Sequence, residues 1–346
     1  MPHEKGRGCE WRWRGSYVNR DRGHSSQAVE EPTHSGAGNI SVEVCQLGPV
    51  QQPAFHAASA RALVDHPNTR LGRPMHLVRT PSSARRIARN TTHFRHVSRR
   101  YTALRTFHGS SVDRTVEALE SLERPITLLD VGVGTGRYLL PIFRRLKQRV
   151  PGSVYAVGVD AESAMLERLT VRTGATSRLT AVVADGHRLP VQDGTIDALL
   201  CFNAIHHFEL RPFLAEAARV LLPGRRLLLY TRTPEQNRRT IWGRLFPLFA
   251  EKEKRLYSAE EICAALEPPS QFQLLEIAAV RHVEHTSAER LHEQARLRHY
   301  STFHFYTPEE FRRALQVFQH RLEAELDGDG TIEFTHENTW VAAERL

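Results

Sequence analysis

Residues 126–136 read Ile-Thr-Leu-Leu-Asp-Val-Gly-Val-Gly-Thr-Gly. An apolar run of strand length ends at Asp130, and glycines follow at 132, 134 and 136. Tyr138, Leu139, Leu140, Ile142, Phe143 and Leu146 then recur at helical spacing. Strand, glycine turn and helix in this order open a doubly wound α/β sheet. A turn without Cβ atoms lets a ligand lie against bare backbone. The dinucleotide fingerprint G-x-G-x-x-G would place its last glycine at 137, where the chain has Arg137.

Outward from this stretch the same rhythm repeats. Ser153–Val159 is a β-branched run that ends in Asp160. Leu179–Ala184 ends in Asp185-Gly186, and Ile196–Phe202 ends in Asn203-Ala204-Ile205-His206-His207-Phe208. A helix is expected over Phe213–Leu222, then a turn at Pro223-Gly224 and a strand over Arg225–Thr231. An aspartate after a strand is often only a helix cap. Four polar strand ends at this spacing form one site instead, because open α/β sheets bind ligands beyond the carboxyl ends of their strands. An acid about 20 residues past the glycine turn suits two ribose hydroxyls.

The D-x-G-x-G-x-G spacing of Asp130, Gly132, Gly134 and Gly136 resembles motif I of the class I S-adenosylmethionine-dependent methyltransferases, in particular their type 11/25-like domains. That resemblance implies an α/β fold, a Rossmann-like doubly wound seven-stranded sheet whose last two strands pair antiparallel at its edge. It implies S-adenosyl-L-methionine as cofactor. Asp160 would take the ribose, Asp185 and Gly186 the adenine, and Asn203 the methionine portion. Arg225 departs from the family, which more often has a glycine there. Phe94, Tyr101, Leu104 and Arg105 resemble the segment that precedes the core in this family, so Arg105 either pairs with the methionine carboxylate or is a solvated helix residue. His187 is expected beside the adenine. His206 and His207 are the candidate catalytic bases for a hydroxyl or amine acceptor, whereas a carboxylate acceptor needs none.

The 346 residues carry 47 Lys/Arg and 39 Asp/Glu, a formal charge of +8. The excess is local: residues 1–120 hold 18 basic and 10 acidic residues, and residues 121–346 hold 29 of each. Only four of the basic residues are lysine. No apolar run approaches the ~20 residues of a membrane span, and Met1–Arg7 has no signal-like apolar region. Cys9, Cys45, Cys201 and Cys263 lack any C-x-x-C spacing, so neither a disulfide framework nor a zinc site is expected. A cytoplasmic location fits this cysteine usage.

Residues 1–82, rich in Gly, Pro, Ser, His and Arg, read as a disordered basic extension. Trp11 and Trp13 could stack on nucleic acid there, and Met75 is an alternative start. Residues 83–346 read as the methyltransferase-like domain, with a core over 120–232 and cap or insertion segments over 233–260 and 285–328. In 232–258, Trp242, Phe246 and Phe249 alternate with Arg238, Arg239 and Arg244, which reads either as a cap that binds an anionic substrate or as a surface helix packed on the core. Ser258 with Glu261, and Thr307 with Pro308, are helix starts. A strand over Phe272–Val283, helices over 286–298 and 308–326, and a strand over 331–343 leave a helical insertion near the C-terminus, with Tyr300–Tyr306 facing the pocket or packing beneath it.

The leading expectation is methyl transfer to a small-molecule acceptor by in-line displacement. A tRNA-modifying enzyme of the wobble-uridine type is the alternative, because residues 204–208 are similar to the corresponding turn of those enzymes and the basic N-terminus could hold RNA. A nicotinamide oxidoreductase and a non-catalytic cofactor-binding protein are the remaining readings.

Overall fold

The computed structural model describes residues 42–46, 77–79, 105, 109–123, 125–149, 154–173 and 178–346. Its elements run β1 (Val42–Gln46), β2 (Leu77–Arg79), α1 (Gly109–Glu120), β3 (Ile126–Val131), α2 (Leu139–Arg149), β4 (Val154–Asp160), α3 (Ser163–Thr173), β5 (Leu179–Val183) and β6 (Ile196–Phe202). They continue as α4 (Leu210–Val220), β7 (Leu221–Thr231), α5 (Pro234–Arg239), α6 (Ile241–Leu245), α7 (Phe249–Lys252), α8 (Ala259–Leu266), β8 (Phe272–Thr286), α9 (Ala288–Arg296), α10 (Pro308–Glu323) and β9 (Ile332–Arg345).

The strands form one mixed sheet in the order β1-β8-β9-β7-β6-β3-β4-β5-β2. β5, β4, β3, β6 and β7 are parallel neighbours, whereas β9 pairs antiparallel with β7 and β8. This is the expected seven-stranded arrangement. β1 and β2 add one strand to each edge, β1 antiparallel to β8 and β2 parallel to β5. Both come from the stretch read as a disordered extension, so that reading does not hold at these two segments. The backbone groups on an open sheet edge are the physical reason, since they recruit any nearby extended chain. Trp11, Trp13, Phe94, Tyr101 and Leu104 lie outside the described residues.

β6 is buried along its whole length, as a parallel strand covered on both faces must be. One core layer joins α1 and α2 to the sheet through Val116, Leu119, Leu139 and Ile142, and the other joins α4 and α8 through Phe213, Leu214, Ile262 and Leu266. Strand β7 begins earlier than expected, at Leu221. Pro223-Gly224 makes an irregularity within it, with Gly224 at φ 74°, and not a break before it.

A third core lies over the sheet's carboxyl end. Trp242, Phe246 and Phe249 from the helices after β7 meet Phe303, Phe311 and Phe318 from the segment between β8 and β9. Trp242 stacks on Phe318 at 5.1 Å between ring centroids, and Phe246 meets Phe303 edge-on at 4.9 Å. All of these rings except Phe311 are 2% exposed or less. Burying each contributes about 1.5–3 kcal/mol, so the two cap segments form one packed body. The helix starts expected at Ser258 and Thr307 are observed: Ser258 with Glu261 and Thr307 with Glu310 close capping boxes, and Thr233 with Gln236 closes a third.

Candidate functional site

A cavity of about 890 Å³ opens over the carboxyl ends of the parallel strands. It begins at the turn between β3 and α2. Gly132, Gly134 and Gly136 all have positive φ there. A Cβ on Gly132 would stand 2.4 Å from Cβ of Ala204, and one on Gly136 would stand 2.4 Å from Leu169. Around Gly134 there is nothing within 4 Å. Two of the glycines therefore permit close packing, and Gly134 leaves a bare wall toward the cavity.

Asp160 at the end of β4 fixes this wall. Its Oδ2 accepts the Gly134 N–H at 2.8 Å and its Oδ1 accepts the Glu162 N–H at 2.9 Å. Burial pushes its carboxyl up to about 6, against the lowering effect of those amides. Asp130 lies behind the loop and does not line the cavity. It is 3% exposed, and its Oδ1 has no hydrogen-bond partner among the described residues. Burial first, and the neighbouring Asp160 charge second, push it up to about 8. Glu162 was not singled out in the sequence. It is 4% exposed, lines the cavity, and holds Oε2 without a partner among the described residues.

Asp185 and Gly186 line the same end. Asp185 Oδ1 accepts the His187 backbone N–H at 3.0 Å and lies 3.1 Å from its Nδ1. His187 Nε2 accepts the Glu209 N–H at 3.0 Å, which leaves Nδ1 as the donor to Asp185. His187 thus ties the β5 turn to the β6 turn. Gly186 makes room for Phe208, whose ring would lie 2.6 Å from a Cβ there.

The end of β6 carries Asn203 at φ 55°, a conformation that asparagine tolerates. Its Oδ1 accepts from Asn338 Nδ2 at 3.3 Å. His206 and His207 follow in a single 3-10 turn, Ile205–His207. Both line the cavity. His206 is half-buried with Nδ1 unpartnered among the described residues. Burial, then His207 and the Arg255, Arg105 and Arg232 guanidinium groups, hold its pKa well below the usual imidazole range. His207 is exposed at the mouth, and the protein mass around it together with Arg255 lowers it to about 4. Both are neutral imidazoles at neutral pH, and weak bases.

Arg105 also reaches the cavity. It lies 4.2 Å from the centre of the Tyr300 ring and donates to the His299 carbonyl at 3.2 Å. The arginines singled out in the segment after β7 do not line it. Arg238 pairs with Glu235, Arg239 with Glu337 and Arg244 with Glu325. Arg232 and Arg255 line it instead. The first residue past a strand of known direction was the available signal for Arg232. Arg255 and the Glu284–His336 pair, 2.7 Å apart across β8 and β9, depend on a fold that spacing alone does not show. No group of three or more metal-ligating side chains occurs among the described residues.

A family model described as "Methyltransferase domain" matches residues 129–229, from the first strand end to the last parallel strand. Over these residues the chain resembles a methyltransferase domain. This domain is 33% identical over 122 residues to the Homo sapiens protein named "Probable tRNA methyltransferase 9B", covering 34% of this chain and 24% of that one. It is 30% identical over 127 residues to a Mus musculus tRNA (carboxymethyluridine(34)-5-O)-methyltransferase, covering 36% and 17%. The match thus spans a quarter or less of the length of these relatives. The solved geranyl diphosphate C-methyltransferase of Streptomyces coelicolor A3(2) is 17% identical, with TM-score 0.43, covering 69% of this chain and 76% of that one. The nicotinamide reading is set aside by the methyltransferase match. Among the described residues, no helix is long and apolar enough to cross a membrane.

The domain fits its cofactor on two observations of its own. Gly134 offers a wall that a Cβ would fill, and the buried Glu162 Oε2 lacks a donor.

Proposed function

We propose that this chain transfers the methyl group of S-adenosylmethionine to a small-molecule acceptor by in-line displacement. The observation that carries the reading is one continuous cavity lined both by the glycine loop and by residues of the cap helices. Its volume is that of a small-ligand site. The cofactor supplies an activated methyl group on a sulfonium. The chain's own residues position it: Gly132 and Gly134 by bare backbone, Asp160 and Glu162 as acceptors for ribose hydroxyls, Asp185 and Gly186 at the adenine, and Asn203 toward the methionine end. Alignment in a closed compartment can supply about 7–11 kcal/mol of the barrier.

No base is required for an acceptor that is already anionic, and the depressed pKa of His206 suits it better to shaping the pocket than to removing a proton. His206→Ala is expected to leave cofactor affinity within about twofold and to lower kcat. A kcat that is unchanged would remove His206 from the reaction path. Isothermal titration with S-adenosylmethionine, S-adenosylhomocysteine and NAD tests the reading as a whole. Micromolar binding of the two sulfur compounds, and a loss of 30-fold or more in Asp160→Ala, are expected from about 2 kcal/mol of charge-assisted hydrogen bonding. Binding of NAD alone would overturn it.

A tRNA acceptor is the second reading, favoured by the names of the two relatives above. It requires RNA that copurifies with the chain and is released as salt rises. A nucleic-acid-free preparation with no salt-dependent RNA binding rules it out.

A further inference from the structure

Arg232 leaves the carboxyl end of β7 and enters the compartment walled by Trp242, Phe249, His299, Tyr300, His336 and Asn338. The neighbouring arginines along the chain each meet a carboxylate: Arg226 meets Glu344, Arg238 meets Glu235 and Arg239 meets Glu337. Arg232 forms no such pair among the described residues, and its buried Nε has no hydrogen-bond partner there. Its guanidinium lies beside Tyr300 instead, 5.7 Å from the centre of the ring. The carboxylates on the cavity wall are already engaged or distant. Glu284 holds His336, Glu253 holds Arg255 and Thr302, and Asp160 and Glu162 stand at the β4 end. Around Arg232 lie Arg105, on the same Tyr300 ring, and the neutral imidazoles of His206, His299 and His336.

A guanidinium partly withdrawn from water without a counter-charge is costly, and its planar fork matches a carboxylate in two parallel hydrogen bonds. We infer that this compartment binds a small molecule bearing a carboxylate, held by Arg232 with the Tyr300 hydroxyl beside it. The inference rests on the methyltransferase reading and names its acceptor class. The local field agrees: Tyr300 is held below the usual phenol range, because Arg232 and Arg105 outweigh the upward effect of burial.

The cofactor's own carboxylate is the other anion of this chemistry within reach. Sheet order favours the acceptor. β7 is separated from β3, which carries the glycine loop, by β6, and from Asp160 on β4 by two strands. At about 4.8 Å per strand, Arg232 springs from a strand about 10 Å beyond the one that bears the loop. Arg137, which follows the loop directly, also lines the cavity.

The test titrates the full-length protein, saturated with S-adenosylhomocysteine, with benzoate, phenylacetate, hexanoate and malonate, and with the primary amide of each. At least one carboxylate is expected to bind tenfold or more tightly than its amide. Arg232→Gln should abolish that preference while its affinity for S-adenosylhomocysteine stays within about twofold. Arg232→Lys, which keeps the charge and the volume but not the fork, should weaken the preference several-fold and serves if the glutamine variant does not fold. No preference for any carboxylate over its amide would overturn the inference. So would a tenfold loss of S-adenosylhomocysteine affinity in a folded Arg232 variant, because the guanidinium then serves the cofactor. Failure of the wild-type protein to bind S-adenosylhomocysteine would instead overturn the methyltransferase reading.

Discussion

Calorimetry on Gly134→Val is expected to show no S-adenosylmethionine binding, a loss of at least 100-fold. Gly134 sits at φ 55°, where a β-branched side chain is strained. Its Cβ would meet no protein atom within 4 Å, so the added methyl groups would project into the space the ligand must occupy. The same strain disturbs the N–H that Asp160 accepts at 2.8 Å. The variant should still fold, with a Tm lowered by a few degrees from ~1–2 kcal/mol of backbone strain. Gly136→Val supplies the contrast. Its Cβ would run into Leu169 and Leu140, so that variant should fail in stability before it fails in binding. Affinity within threefold of wild type in Gly134→Val would remove the glycine loop from the binding surface.

Asp130→Asn is expected to stabilise the ligand-free protein. In the unfolded chain the carboxyl ionises near 3.8, and in the folded protein only near 8. Between those values the native state binds the extra proton, so stability falls as pH rises through that window. Asparagine is neutral at every pH and escapes this loss. Each tenfold change in proton affinity corresponds to about 1.4 kcal/mol, so a gain of the order of 2–4 kcal/mol is expected at pH 8. That is about 5–10 °C in Tm, vanishing below about pH 4. Scanning calorimetry of both proteins from pH 4 to pH 9 checks this, and parallel Tm profiles would contradict it. A stabilising substitution beside a binding loop indicates that the native carboxyl is kept for function at the expense of stability.

The parallel core was legible because two local signals coincide there. Uninterrupted apolar runs mark strands buried on both faces, and a polar residue ends each of them. β6, expected over Ile196–Phe202, is observed over those residues. The helix starts at Thr307 and Ser258 were legible for the same reason, since a capping box is complete within four residues. The wall of the acceptor compartment was not legible. Arg239 and Arg244 look as free in the sequence as Arg232 does. Only the pairing of β9 with its neighbours and the placing of α10 decide that Glu337 and Glu325 neutralise the first two. The aromatic residues after β7 were ambiguous between lid and core, and the partner rings that make them core lie more than fifty residues onward. Glu162 was not legible either, because an acid two positions past a strand resembles any helix-start residue. Its burial and its unpartnered oxygen exist only in three dimensions.

β1 and β2 cover the two edges of the sheet. The outermost strands of the methyltransferase sheet, β8 and β5, would otherwise present rows of unpaired amides and carbonyls to solvent. Each is covered by a strand from the N-terminal stretch, β8 over Glu276–Val280 and β5 over Ala181–Val183. A chain started at Met75 would keep the guard on β5 and lose the one on β8. Such a chain would have a ready template for pairing with a second copy, edge to edge. Its solubility, more than its chemistry, would register the missing residues.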